Sequence, residues 1–422
     1  MKPSNRYVMR EFWINIVLTS GVRVYGYLIG FITLAVTARW LGPEGRGIIA
    51  AVGTWVALFV TFGDLSLGQV ALHHAADHRD RNWLANVLGS LLLFCGLFAL
   101  LGWLTAYALY LLTNGALFDN LSPLFLLIGF IGLPLAIWER YGSALLTALD
   151  QVPKYNWAQL IGRTVGLAVI GLAWFFQWGI ASVLAGLLIS QVIISGITTA
   201  SLLRYADEPI KANAEVMRSF LSGGLKLHWN AIGAFMILYT DILMVNYYRG
   251  LEETGYYQIA VQMITIMYII PTAAAMMLSG KVSLLGPDGA WPYNRTLMIW
   301  LTLAMIGLSI IAALTAPVII SLIMGDRFDP VIPIFQWALL AMIGMSFSAV
   351  MGPQWIGRGW FWQSSLLTLF IGLGNLIAGL ILIPIYGMYG AVWSTIATYI
   401  LSLFTNGGLA IWCEVRHRRT EH

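Results

Sequence analysis

The sequence predicts an all-α integral membrane protein with about twelve transmembrane helices, arranged as two six-helix halves. Three observations predict it: an apolar composition, twelve long apolar runs, and a turn that recurs half a chain later. Hydrophobic residues make up 59% of the 422 residues and charged residues 10%, with a mean hydropathy of +0.79. A soluble domain carries about 25% charged residues, so this chain is built for lipid.

The recurring turn is Leu41-Gly42-Pro43-Glu44-Gly45-Arg46-Gly47. Its pattern Gly42-x-Glu44-x-x-Gly47 returns as Gly250-x-Glu252-x-x-Gly255, 208 residues later, between two apolar runs in each case. Internal duplication in a membrane chain is a mark of transporters, in which two halves rock about a central site.

Taken in order, the apolar runs fall near 12–38, 47–72, 83–111, 121–147, 157–177 and 179–203, then near 222–248, 254–278, 295–322, 331–352, 361–383 and 388–413. Each has the length needed to cross the hydrocarbon core as helix. The first follows Lys2, Arg6 and Arg10 with no small-residue cleavage site after it, so it reads as a retained span. The polar stretch Arg204 to Ser219 separates the halves, 1–208 and 209–422.

The basic residues orient the chain. With the start in the cytoplasm, fifteen Lys and Arg lie in one set of connections and four, Arg39, Arg46, Arg249 and Arg327, in the other. That asymmetry places both termini in the cytoplasm. Cys95 and Cys413 lie far apart in apolar runs, which predicts no disulfide and no cysteine metal site. Pro134, Pro271 and Pro317 fall inside spans; Pro271 is the candidate hinge, and most glycines read as close helix packing.

Ionisable residues inside spans carry the functional information, since a charge near the bilayer centre costs about 2.5 kcal/mol or more and is kept where it faces a bundle interior or a wet cavity. Four are basic: Arg23, Arg140, Arg163 and Lys226. Three are acidic: Asp64, Glu139 and Asp241. Arg23 lies some eleven positions from either flank, roughly 16 Å deep by helical rise, beyond the reach of snorkelling. It is a candidate anion-binding residue, with an ion pair to Asp64 as the structural alternative. Arg140, Arg163 and Lys226 are candidate helpers, although Arg140 beside Glu139 also reads as a paired or snorkelling residue, Lys226 and His228 as interfacial, and Asp241 as a helix-pairing group. The excess of basic residues suits an anionic substrate entering from the cytoplasm.

Two apparent motifs lead elsewhere. His73, His74 and His78 sit among Asp77, Arg79, Asp80 and Arg81, a solvated loop in preference to a metal site. Trp40, Trp83, Trp157, Trp178 and Tyr389, at segment ends, read as interfacial belts. There is no phosphate loop or nucleophile triad, so no enzyme, cofactor or nucleic-acid partner is expected.

The run Thr37-Ala38-Arg39-Trp40-Leu41-Gly42-Pro43-Glu44-Gly45-Arg46-Gly47 resembles the first outer turn of bacterial O-antigen and oligosaccharide-lipid flippases, members of the multidrug/oligosaccharidyl-lipid/polysaccharide (MOP) exporter superfamily. Asp241-Ile242-Leu243-Met244-Val245 with Gly250-Leu251-Glu252-Glu253-Thr254-Gly255-Tyr256-Tyr257 resembles them too. So does Leu149 to Asn156, although relatives often have Gly where Ala148 stands. The resemblance implies a V-shaped pair of bundles around a cationic cavity, in the manner of multidrug and toxic compound extrusion (MATE) transporters, that passes an undecaprenyl-pyrophosphate-linked oligosaccharide across the bacterial inner membrane. Membrane lipid and a polysaccharide polymerase complex are the partners it implies. In that setting Arg23, Arg140, Arg163 and Lys226 would hold the pyrophosphate, and Asp64 or Asp241 would couple transport to an ion, Na+ or H+. The rival within the same fold is an ion-coupled exporter of cationic drugs, which would favour acidic residues deep in the cavity. A major facilitator fold would show a Gly-rich basic turn at His73 to Asn82, which is absent.

Overall fold

The computed structural model describes residues 5–77, 83–118, 120–206 and 208–421, with side chains from Tyr25 to Arg419. Among them there is no strand. The chain divides into two compact units, the first formed by Met1–Leu41 and Val52–His228, the second by Gly42–Ala51 and Trp229–His422.

The helices run α1 (Asn5–Asp64), α2 (Leu67–Asp77), α3 (Trp83–Leu112), α4 (Pro123–Ile131), α5 (Leu133–Ala148), α6 (Val152–Phe175), α7 (Ile180–Leu203) and α8 (Ala214–Leu238). They continue as α9 (Thr240–Arg249), α10 (Leu251–Met267), α11 (Ile269–Gly289), α12 (Trp291–Met324), α13 (Val331–Ala338), α14 (Ala341–Gly357), α15 (Phe361–Tyr386) and α16 (Met388–Glu421). Among the described residues nine helices are long and apolar enough to cross a membrane, or eleven when the bent pairs α8 with α9 and α13 with α14 each count as one. The first of these is itself interrupted at Gly42, whose φ of 69° and ψ of −173° are not helical. Dividing it there recovers the twelve expected segments.

Several spans break where proline or left-handed backbone forces them to. Pro134 stands second in α5, and its missing N–H coincides with the end of α4 one turn earlier. Pro271 likewise lies just inside α11, four residues after α10 ends at Met267. Pro317 leaves α12 continuous. The break after Asp64 is one that apolar patterning does not announce: Leu65 and Ser66 take φ of 44° and 56°, and the apolar run that read as one span is α1 followed by α2.

Gly42 and Gly250 share one conformation, φ 69° and 85° with ψ −173° in both. Positive φ is open to glycine at little cost, which accounts for the repeated residue. The third position of the repeat has a different duty. A Cβ at Gly47 would lie 1.8 Å from the Leu251 carbonyl oxygen, and one at Gly255 would lie 2.0 Å from the Pro43 carbonyl oxygen. The two copies therefore pack against each other within the second unit, backbone on backbone.

Both cysteines are free and buried. Cys95 donates its S–H to the Pro134 carbonyl at 3.2 Å, and Cys413 belongs to an apolar cluster with Trp291, Met351, Leu409 and Ala410.

Candidate functional site

In the first unit, Asp64 closes the first stretch of helix before the break. One carboxylate oxygen accepts the Ser66 backbone N–H, and the other accepts Arg140 Nη1 at 2.5 Å. Arg140 also reaches Thr61 Oγ1 at 3.5 Å. The neighbouring Tyr141, fully buried, donates to the carbonyls of Gly63 and Asp64. The acid is buried and the base is not: the Asp64 side chain is 9% exposed and that of Arg140 44%. A buried carboxylate without a partner is costly, so the acid fixes the guanidinium, which keeps N–H donors on its exposed side. The expected alternative partner, Arg23, lies in α1, but its side chain is outside the described residues.

Glu139 leaves α5 on a different side from Arg140, as helical geometry requires of consecutive residues. Its carboxylate accepts the Tyr155 O–H at 2.9 Å, the Gln159 amide, and the Gln191 amide at 2.5 Å. No cation pairs with it among the described residues. Gln159 passes the interaction on, for its carbonyl oxygen accepts Arg163 Nε at 2.7 Å. Arg163 Nη1 reaches the Gly26 carbonyl of α1 at 3.4 Å. The rest of Arg163 is exposed. Lys226 is exposed and makes no ion pair among the described residues. The adjacent His228 is buried, with Nδ1 3.5 Å from Ser66 Oγ. His74 Nε2 lies 3.1 Å from Ser219 Oγ, whereas His78 is outside the described residues.

In the second unit, α8 and α9 meet at an angle of 42°, and Asp241 stands in the first turn after the bend. It is 3% exposed. Three other helices supply its donors: Tyr257 O–H at 3.1 Å, Asn375 Nδ2 at 3.0 Å and Thr395 O–H at 3.0 Å. Asn375 is fixed in turn by Thr398, which donates to its Oδ1 at 2.8 Å, and by the Met236 carbonyl. All the groups on the acid are neutral, so a charge buried there is held by dipoles alone. Arg46, which sequence places in an outer turn, is buried instead and donates to Gln258 Oε1 at 2.5 Å.

The sequence profile of the family described as polysaccharide biosynthesis protein matches residues 12–278. The chain belongs to the polysaccharide biosynthesis protein family. No curated protein shows significant sequence similarity to it.

Solved structures agree on the fold. A multidrug resistance MATE family transporter of the MOP superfamily, in an inward-facing conformation, superposes with a TM-score of 0.70 at 14% identity, covering 94% of this chain and 99% of that one. The lipid II flippase MurJ, in an inward closed conformation, gives 0.70 at 15% identity, with 92% and 86% covered. A MOP superfamily transporter from Pyrococcus furiosus gives 0.54 at 13% identity, with 94% and 97% covered. The expected all-α fold is borne out by these MOP superfamily structures, and the expected kinship with polysaccharide proteins by the family match.

In this member of the polysaccharide biosynthesis family, Asp64 and Arg140 come together, Arg163 reaches α1, and Asp241 stands in a neutral shell. Sequence reading missed the shells themselves. Gln159, Gln191, Asn375 and Thr395 are uncharged, and their partners lie 20, 52, 134 and 154 positions away; no local pattern marks them.

Proposed function

We propose that the protein carries an undecaprenyl-pyrophosphate-linked oligosaccharide, such as an O-antigen or other surface-polysaccharide repeat unit, across the bacterial inner membrane by alternating access of its two halves, 1–208 and 209–422. The observation that carries the reading is the pair of anchored guanidiniums in a polysaccharide biosynthesis protein. Arg140 is held by Asp64, and Arg163 by Gln159 and the Gly26 carbonyl, and both guanidiniums stay partly exposed. Fixed, partly exposed arginines suit the bidentate oxygens of a pyrophosphate. Arg23, one helical turn before Gly26, and Lys226 complete the set by position. The prenyl chain stays in the bilayer.

Asp241 is the coupling residue in this reading, and Asp64 the anchor of Arg140. A carboxylate satisfied only by hydroxyls and an amide gains from a proton or a Na+ more than one already paired with arginine does. The bias of Lys and Arg to one set of connections supports cytoplasmic termini, and a polymerase complex is the natural receiver of the released unit.

The test is reconstitution in liposomes with a lipid-linked oligosaccharide and an assay of leaflet access. Protein-dependent transfer supports the proposal. Efflux of cationic dyes without lipid transfer assigns the protein to drug export instead.

A further inference from the structure

At one end of α12 and α16 the second unit holds a cleft of about 600 Å3 that the transport reading does not use. Its rim is charged. Glu414 accepts Arg295 Nη1 at 2.9 and 3.0 Å, Arg418 Nε at 3.1 Å, and the indole N–H of the buried Trp291 at 3.0 Å. Below the rim the wall is apolar, with Ile411 69% and Val415 46% exposed. The span Trp291–Met324 begins here and Met388–Arg419 ends here, so a charged rim over an apolar wall at this place suits the boundary between headgroups and acyl chains.

The carboxylate is fully engaged and the guanidiniums are not. Arg295 spends only Nη1 on Glu414, and Arg418 only Nε, out of five N–H donors each. Two arginines against one acid leave the rim a net positive charge. The next cluster on α16 repeats the excess, with Asp288 between Arg358 and Arg416 at 2.7 and 3.0 Å.

We propose that this cleft binds an anionic glycerophospholipid, with its phosphodiester on the free donors of Arg295 and Arg418 and an acyl chain along Ile411 and Val415. Glu414 acts as the strut that sets the spacing of the two guanidiniums. The charged rim over an exposed apolar wall matches an amphiphile with a phosphate head, and no neutral solute needs both. The site stands independently of what the protein transports.

The experiment is lipid binding by the purified full chain, read by native mass spectrometry and by thermal shift. The probes are phosphatidylglycerol, phosphatidylcholine of the same chains, and glycerol 3-phosphate. Wild type retains phosphatidylglycerol in preference to phosphatidylcholine and does not respond to glycerol 3-phosphate. Arg295→Gln/Arg418→Gln binds it roughly tenfold more weakly or worse, whereas Arg249→Gln, at the C-terminal end of α9, binds it as wild type does. If the double variant does not fold, Arg418→Gln carries the test, since that side chain is 73% exposed. Equal retention of the two lipids, unchanged affinity in the arginine variants, or displacement by lipid-linked oligosaccharide would each overturn the assignment. Normal oligosaccharide transfer by Arg418→Gln separates this site from the transport reading.

Discussion

Arg140 Nη1 lies 2.5 Å from Asp64 Oδ2, an ion pair that joins α5 to the first helix where that helix breaks. Because the acid is buried and the base half-exposed, the two residues are unequal partners. Removing the acid frees a guanidinium that water can still reach; removing the base strands a buried carboxylate. Arg140→Ala should therefore destabilise more than Asp64→Asn, by about 1–2 kcal/mol once solvent screening of the exposed arginine is allowed for. Thermal unfolding of the two variants in one detergent measures the difference, and equal losses would count against the asymmetry.

Gln159 stands between Glu139 and Arg163, so Glu139→Ala should disturb Arg163 without touching it. Gln159→Ala and Glu139→Ala are expected to weaken substrate binding to a similar degree. The double variant should be little worse than either, because residues in one hydrogen-bonded chain do not add. Additive losses in a double-mutant cycle would show that the chain does not act as a unit.

Asp241 separates stability from coupling. Asp241→Asn keeps hydrogen bonding with Tyr257, Thr395 and Asn375 while removing the charge, and should unfold at nearly the wild-type temperature. Asp241→Ala leaves those buried donors unpaired, at a cost of about 1–3 kcal/mol. In liposomes the Asn variant should no longer respond to an imposed pH or Na+ gradient. Full gradient response in that variant would remove Asp241 from coupling.

The reciprocal approach of Gly47 to Leu251 and of Gly255 to Pro43 has no room for a side chain. Gly47→Leu and Gly255→Leu should each force the two copies of the turn apart. A cysteine placed at Leu251, 8% exposed in the native contact, should then react faster with a water-soluble maleimide. The native thiols are buried and give little background. Unchanged labelling would mean that the contact adjusts without opening.

Composition and span length were enough for the fold, because lipid allows few solutions and helices of this length are the commonest. The glycine repeat was legible for the same reason that it is required: at Gly42 and Gly250 the backbone has positive φ, and at Gly47 and Gly255 a carbonyl takes the place of a side chain. The charges in spans were legible as unusual residues, and their partners were not. Nothing near Asp64 in the sequence points to Arg140, 76 residues on, and nothing near Asp241 points to Asn375. Arg46 was placed among exposed connections because its run is short and polar, whereas its side chain is buried in the second unit.

Whether the fixed arginines hold a pyrophosphate is read from equilibrium binding of a lipid pyrophosphate-linked oligosaccharide to the purified protein. Arg163→Ala and Arg140→Ala should each weaken binding by about 1.5–3 kcal/mol, the value of a charge-assisted hydrogen bond, and rising salt should erode wild-type affinity more than that of either variant. Wild-type affinity in both variants, or equal affinity for an uncharged lipid-linked sugar, would contradict that role for the arginines.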